Sequence, residues 1–294
     1  MTNRALLVGI NSYAEQPLRG CVHDVLDMAT LLTERYQFAR QDVTLLIDGR
    51  ATRAAILSRL RALVQSLQPG DRALFHFSGH GVQLLSSSSE EADGLDEAIC
   101  PVDYSWNDLS SFLRDKDFRR ELASVPDGVS FVWVSDSCHS GTLSRALTRG
   151  HDSRPRTLQL PADLEWQVES ARRRPAVGPR GLSDAARELP LALLAACQPE
   201  QTAADAVFDG RANGALTYFL VKELTESTQP EQAMLALTRR VAQRLVAAQQ
   251  SARNARQQHA RDGHRRRRDH RSQHHRPVQR SGVRQPEQHG PFPG

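Results

Sequence analysis

Two side chains capable of nucleophilic chemistry sit just beyond apolar runs in this chain. Ala73 to Phe77 breaks into Ser78-Gly79-His80-Gly81, and Val129 to Val134 breaks into Ser135-Asp136-Ser137-Cys138-His139-Ser140-Gly141. A thiol becomes a competent nucleophile at neutral pH only when a base stands nearby to take its proton. His80 and Cys138 supply that pair, 58 residues apart. Glycines on both sides of His80 mark a place where the backbone bends and something approaches closely. Small polar neighbours around Cys138 argue for an accessible turn rather than a core cysteine. His139 is next to the thiol in sequence, but on an extended segment its ring points the other way. Asp136 lies two residues before Cys138, so extended backbone puts both side chains on one side.

The elements that must position these loops follow a simple rhythm. Arg4 to Ile10, Val43 to Ile47, Ala73 to Phe77, Val129 to Ser135 and Leu191 to Ala196 read as buried strands. Helical spacing appears over Cys21 to Leu32 and again after Thr52, through Ile56, Leu60, Leu63, Val64 and Leu67. Leu113 to Leu122, Gly214 to Leu224 and Glu231 to Ala248 also read as helices. Continuously apolar strands alternating with helices predict an α/β fold, a mostly parallel central sheet with helices on both faces. In such sheets ligands bind outside the carboxyl ends of the strands, where both candidate loops fall. Val82 to Asn107 reads as a long polar connection, and Thr142 to Leu189 as an Arg- and Pro-rich one without clean periodicity.

Composition narrows the class further. The 294 residues carry a net charge of +4, but 11 Arg against 3 acids from Ser251 onward give that tail +8, leaving −4 on the rest. The reading is therefore one domain over 1–249 and a basic tail over 250–294 too poor in apolar residues to bury a core. Four cysteines in a chain this long are not a disulfide framework, and Cys21, Cys100, Cys138 and Cys197 show no CxxC spacing, which argues against a zinc site. No apolar run reaches membrane-spanning length. A soluble, cytoplasmic protein is expected.

The paired blocks SGHG and DSCHSG, in this order and at this distance, resemble the metacaspase branch of the caspase-like cysteine peptidases, of the bacterial kind. LRGCVHDV (Leu18 to Val25), DGLDEAICPVD (Asp93 to Asp103) and ACQPEQTAADA (Ala196 to Ala206) extend the resemblance over roughly 4 to 248. It implies a caspase-like three-layer sandwich and a cysteine endopeptidase working through a Cys138–His80 dyad. It implies an oxyanion hole from the N–H groups of Gly81 and Cys138, and a substrate pocket from Cys21, Asp24, Ser78 and Asp136. Two carboxylates in a small cleft favour a guanidinium or ammonium, so cleavage after Arg or Lys is expected. Arg19 stands close by, and an inward Arg would suit an acidic substrate instead; an unpaired charge is expected to face solvent.

Calcium is the cofactor the resemblance implies, with Asp93, Asp96, Glu97, Asp115 and Asp117 as carboxylate ligands. The match is partial, since 142–149 holds no acid where the family has an aspartate. Expected partners are proteins or peptides with Arg or Lys before the cut bond. A different class stays open: a silent caspase-like scaffold whose basic tail binds nucleic acid or acidic partners. Self-cleavage is expected within 142–189, where Arg145, Arg149, Arg154, Arg156, Arg172, Arg173, Arg174 and Arg180 are tethered close to Cys138.

Overall fold

The computed structural model describes residues 1–86, 94–139, 153–173, 191–195 and 204–227. Five parallel strands form the central sheet in the order β2-β1-β3-β7-β9: β1 (Asn3–Gly9), β2 (Val43–Ile47), β3 (Arg72–Ser78), β7 (Ser130–Asp136) and β9 (Leu191–Ala195). The chain starts in β1, steps to β2 on one side, then returns past β1 to build outward on the other. That reversal between β1 and β3 opens a crevice at the carboxyl ends of the strands.

Both sheet faces are apolar because successive side chains alternate. Leu6, Val8, Phe75, Phe77, Phe131 and Trp133 face one side, where they pack with Ile56, Leu60, Leu63 and Val64 of helix α2 (Arg53–Gln65). Ala5, Leu7 and Val134 face the other, against Val25, Met28, Leu31 and Leu32 of α1 (Cys21–Arg35) and Leu216 and Leu220 of α5 (Ala215–Glu226). Thr52 caps α2 by accepting from the Ala55 N–H at 3.2 Å. The three-layer expectation holds.

Three readings need correction. The stretch taken as a polar connection contains an antiparallel pair, β4 (Gly81–Leu85) with β5 (Leu95–Ile99), extended by β6 (Leu113–Arg114) ahead of α3 (Asp115–Leu122). Leu84, Leu95, Ala98 and Ile99 are buried there, so the pair is held by its apolar face despite the surrounding polar residues. The Arg-rich connection holds a short strand β8 (Arg154–Pro155) and helix α4 (Ala162–Arg172), whose Val168 and Ala171 bury against Leu95. A hairpin absent from the sequence reading, β10 (Ala204–Phe208) and β11 (Arg211–Gly214), completes a small sheet with β8. The predicted helix at 231–248 and the basic tail lie outside the described residues.

Candidate active site

His80 and Cys138 leave the ends of neighbouring strands in matched register. Ser78 pairs with Asp136, and each reactive residue stands two positions beyond its strand's pair. Tyr13 braces the first loop: its hydroxyl accepts from the His80 backbone N–H at 3.1 Å, and its ring centroid lies 4.7 Å from the imidazole. The imidazole Nε2 lies 2.7 Å from the Gln16 carbonyl. A carbonyl only accepts, so Nε2 carries the proton and Nδ1 keeps its lone pair. Gln16 adopts a positive φ of 54°, an uncommon conformation for a side-chain-bearing residue, at the carbonyl that holds His80. Burial lowers the His80 pKa to about 4, so the ring is neutral at physiological pH.

His139 is taken up elsewhere. Its Nδ1 lies 3.1 Å from the Ala98 carbonyl and its Nε2 3.4 Å from Ser137 Oγ. Gly81 allows the two loops to close. A Cβ there would fall 2.6 Å from the Cys138 carbonyl oxygen, so only glycine fits.

Cys138 and His80 are both buried rather than standing on an accessible turn. The residue over them is Arg156. Its carbonyl oxygen accepts from the Gly81 N–H at 3.0 Å and from the Cys138 N–H at 3.1 Å. These are the two donors expected of an oxyanion hole, and one peptide carbonyl occupies both.

The Arg156 side chain runs into the expected pocket and is fully buried. Nη2 meets Asp24 Oδ2 at 2.7 Å and Asp205 Oδ1 at 3.1 Å, while Nη1 meets Asp136 Oδ1 at 3.3 Å and donates to Ser78 Oγ at 2.7 Å. Cys21 is buried at this end of α1, and burial pushes its thiol up. All four residues assigned to the pocket from sequence are thus brought together. Arg19 is exposed as expected; only its backbone N–H enters the arrangement, donating to Asp205 Oδ2 at 2.8 Å.

The carboxylates are held by a second set of donors. Asp136 Oδ2 accepts from the Thr217 N–H and hydroxyl, both at 2.8 Å, in the first turn of α5, where a helix favours negative charge. Asp24 Oδ1 accepts from Asn213 Nδ2 at 3.0 Å and the Gly214 N–H at 2.9 Å. Burial, opposed by Arg156, pushes the Asp24 carboxyl up to about 6. Asp205, Asn213 and Thr217 escaped the sequence reading. Their signal is Asp209-Gly210, a dipeptide typical of tight hairpin turns, here with φ of 49° and 80°.

The carboxylates considered for calcium are partly engaged. Asp96 pairs with Arg114 and, at 3.0 Å, with Lys116; Asp117 pairs with Arg53 at 3.3 Å; Asp115 Oδ2 meets Arg119 at 3.4 Å. Asp115 Oδ1 is buried without a hydrogen-bond partner, and burial, with Asp96 and Glu97, raises its pKa. The donors therefore fit a cation in part, around Asp115. Among the described residues no three His, Cys, Asp or Glu side chains form a ready metal cage. Asp93 lies outside the described residues. Among them, no helix is long and apolar enough to cross a membrane.

A parallel sheet carrying a histidine and a cysteine on adjacent strand ends, with the pocket beside them, defines a caspase fold. Caspase-1 from Spodoptera frugiperda superposes with a TM-score of 0.51 over 82% of this chain and 75% of that one, at 12% identity, a likeness of fold alone. A solved protein from Geobacter sulfurreducens aligns at TM-score 0.59 and 26% identity, over 83% of this chain and 89% of that one. Residues 3–146 match the family described as metacaspase, peptidase C14 domain. This is a metacaspase-like protein of the caspase fold. Metacaspase-1B of Aspergillus oryzae is 33% identical over 267 residues, covering 80% of this chain and 62% of that protein. Metacaspase-1 of Coccidioides immitis is 38% identical over 146 residues, covering 47% of this chain and 31% of that protein. The chain thus spans less than two thirds of the length of these curated relatives.

Proposed function

We propose that this chain is a cysteine endopeptidase that cuts peptide bonds after Arg, with Lys the second choice, and that one such bond is its own Arg156–Thr157. The observation that carries this reading is the seating of Arg156: guanidinium among carboxylates, carbonyl on two backbone donors. That is the arrangement a substrate residue needs immediately before attack.

The chemistry follows from the groups in place. His80 Nδ1 takes the Cys138 thiol proton, and the thiolate sulfur adds to the carbonyl carbon of the bound Arg. The carbonyl oxygen, now negative, stays on the Gly81 and Cys138 N–H groups. The imidazolium gives its proton to the departing amide nitrogen, the C–N bond breaks, and a thioester to Cys138 remains. Water then attacks the thioester, losing a proton to His80, and the product leaves with a terminal carboxylate while the thiol re-forms. Arg suits the pocket better than Lys, because a planar fork meets several carboxylates at once while an ammonium acts as a point charge.

Calcium belongs to this proposal as an activator remote from the reacting atoms. Asp115, whose Oδ1 is buried without a hydrogen-bond partner, would be the carboxylate beside it, and its charge would offset the burial and the neighbouring acids that raise Asp115. Asp115→Asn should remove any rise in rate on calcium titration and leave the Arg preference unchanged. The scaffold alternative is not favoured, and its nucleic-acid contact rests on 250–294, outside the described residues.

The test is a fluorogenic panel with Arg, Lys or Asp before the reporter, run beside intact-mass analysis of wild type and Cys138→Ala. Turnover of Arg peptides, and a cut after Arg156 in wild type alone, are expected. Preference for Asp would overturn the specificity. A wild-type chain that stays whole while cutting added Arg peptides would overturn the self-cleavage.

A further inference from the structure

We propose that the site also reads the second residue beyond the cut bond and requires an apolar side chain there, the position that Leu158 fills in this chain. The inference rests on the reading of Arg156 as the residue before that bond. Gly81 grips the segment on both sides: its N–H donates to the Arg156 carbonyl at 3.0 Å, and its carbonyl accepts from the Leu158 N–H at 3.0 Å. Thr157 lies between, bridged in parallel to Gly81. These contacts are main-chain only, so any peptide held the same way puts its second residue where Leu158 now lies.

Burial along the segment is uneven. Arg154 and Pro155 are half-buried and Gln159 is exposed, whereas Leu158 is 3% exposed and joins the apolar cluster of Tyr13, Leu18 and Val82. Thr157 is buried as well, which limits the residue right after the cut to a small one. Residues ahead of Arg156 pair with β10 through the main chain, Pro155 to Ala204 and Arg154 to Asp205, and Arg154, half-buried, adds a side-chain bond to the Pro17 carbonyl. Beyond the cut, the buried apolar side chain is that of Leu158. Leu158 is not needed to tie down α4, since Val168 and Ala171 anchor that helix in their own cluster with Leu95.

The experiment uses quenched fluorescent peptides with the sequence of 153–161 and the whole chain, as wild type and as Arg156→Ala, in which the tethered side chain no longer fills the pocket. Leu158→Asp within the peptide should lower kcat/KM about ten- to hundredfold, the span expected when a buried leucine is lost. Leu158→Ile should stay within about threefold, and Gln159→Asp within about twofold, because that position is exposed. Cut positions are read by mass. An Arg tripeptide ending in a coumarin, which lacks everything beyond the cut, separates the two levels. If it is turned over and the Leu158→Asp peptide matches its parent, this inference alone is overturned. If neither form of the chain turns it over, the pocket reading and this inference fall together.

Discussion

Asp24→Asn tests the pocket most sharply, because two opposing effects at that residue have different sizes. A carboxylate and a guanidinium about 4 Å apart attract by about 4 kcal/mol at the effective dielectric of a protein. Asp24 does not collect that in full: burial raises its pKa to about 6 even with Arg156 beside it, so holding the charge there is itself costly. Asp136 and Asp205 also remain to hold the cation. The net loss should be about 1–2 kcal/mol, or roughly tenfold in kcat/KM for an Arg peptide. Asp24→Ala should cost about 1–3 kcal/mol more, since Ser78, Asn213 and the Gly214 N–H would lose their acceptor. The assay pairs each variant with Arg and citrulline peptides, citrulline being the neutral isostere. The variant should lose its tenfold on Arg and almost nothing on citrulline. Equal losses on both would refute the argument, because Asp24 would then be acting on the fold and not on the charge.

Cys138→Ala and His80→Ala should each abolish peptide cleavage with unchanged circular dichroism; near-normal turnover by either would remove the dyad. Gly214→Ala should block Arg cleavage, since its Cβ would collide with the Arg156 guanidinium and Asp136; an unimpaired variant would move the pocket. Burial depresses His80 to about 4 and His76 to about 3, so the unfolded chain binds more protons than the fold below pH 6.5, and stability falls on acidification. Asp24 acts oppositely: raised to about 6 from 3.8, it binds protons in the fold first and stabilises as pH drops from 6 to 4. Asp24→Asn should therefore steepen the fall in Tm between pH 6.5 and 4, and an unchanged slope in Cys138→Ala chains carrying it would count against the buried-carboxylate assignment.

The five sheet strands were legible because each is a continuous apolar run, as two covered faces require. His80 and Cys138 were legible because each terminates such a run among small residues. Asp24, Asp136, Ser78 and Cys21 came from motif resemblance, and the geometry gathers them around one guanidinium. Asp205 was not legible: it sits 185 residues from Gly20, whose N–H it accepts, and nothing local announces that closeness. Arg156 was one of eight tethered candidates in sequence; only tertiary packing sets it apart. The accessible thiol was misjudged for the same reason, since local chemistry cannot reveal that a later segment covers the turn.

The position of Arg156 in the chain has a consequence for covalent continuity. Asp24, Ser78 and Asp136 precede the Arg156–Thr157 bond, while Asp205, Asn213 and Thr217 follow it, as does β9, the fifth strand of the sheet. A chain cut there would be two polypeptides sharing one specificity pocket. Each fragment would carry only part of the set that holds the guanidinium. The fragments would stay joined through the β7–β9 ladder and the buried carboxylate contacts, separate on a denaturing gel and migrate together on a native one.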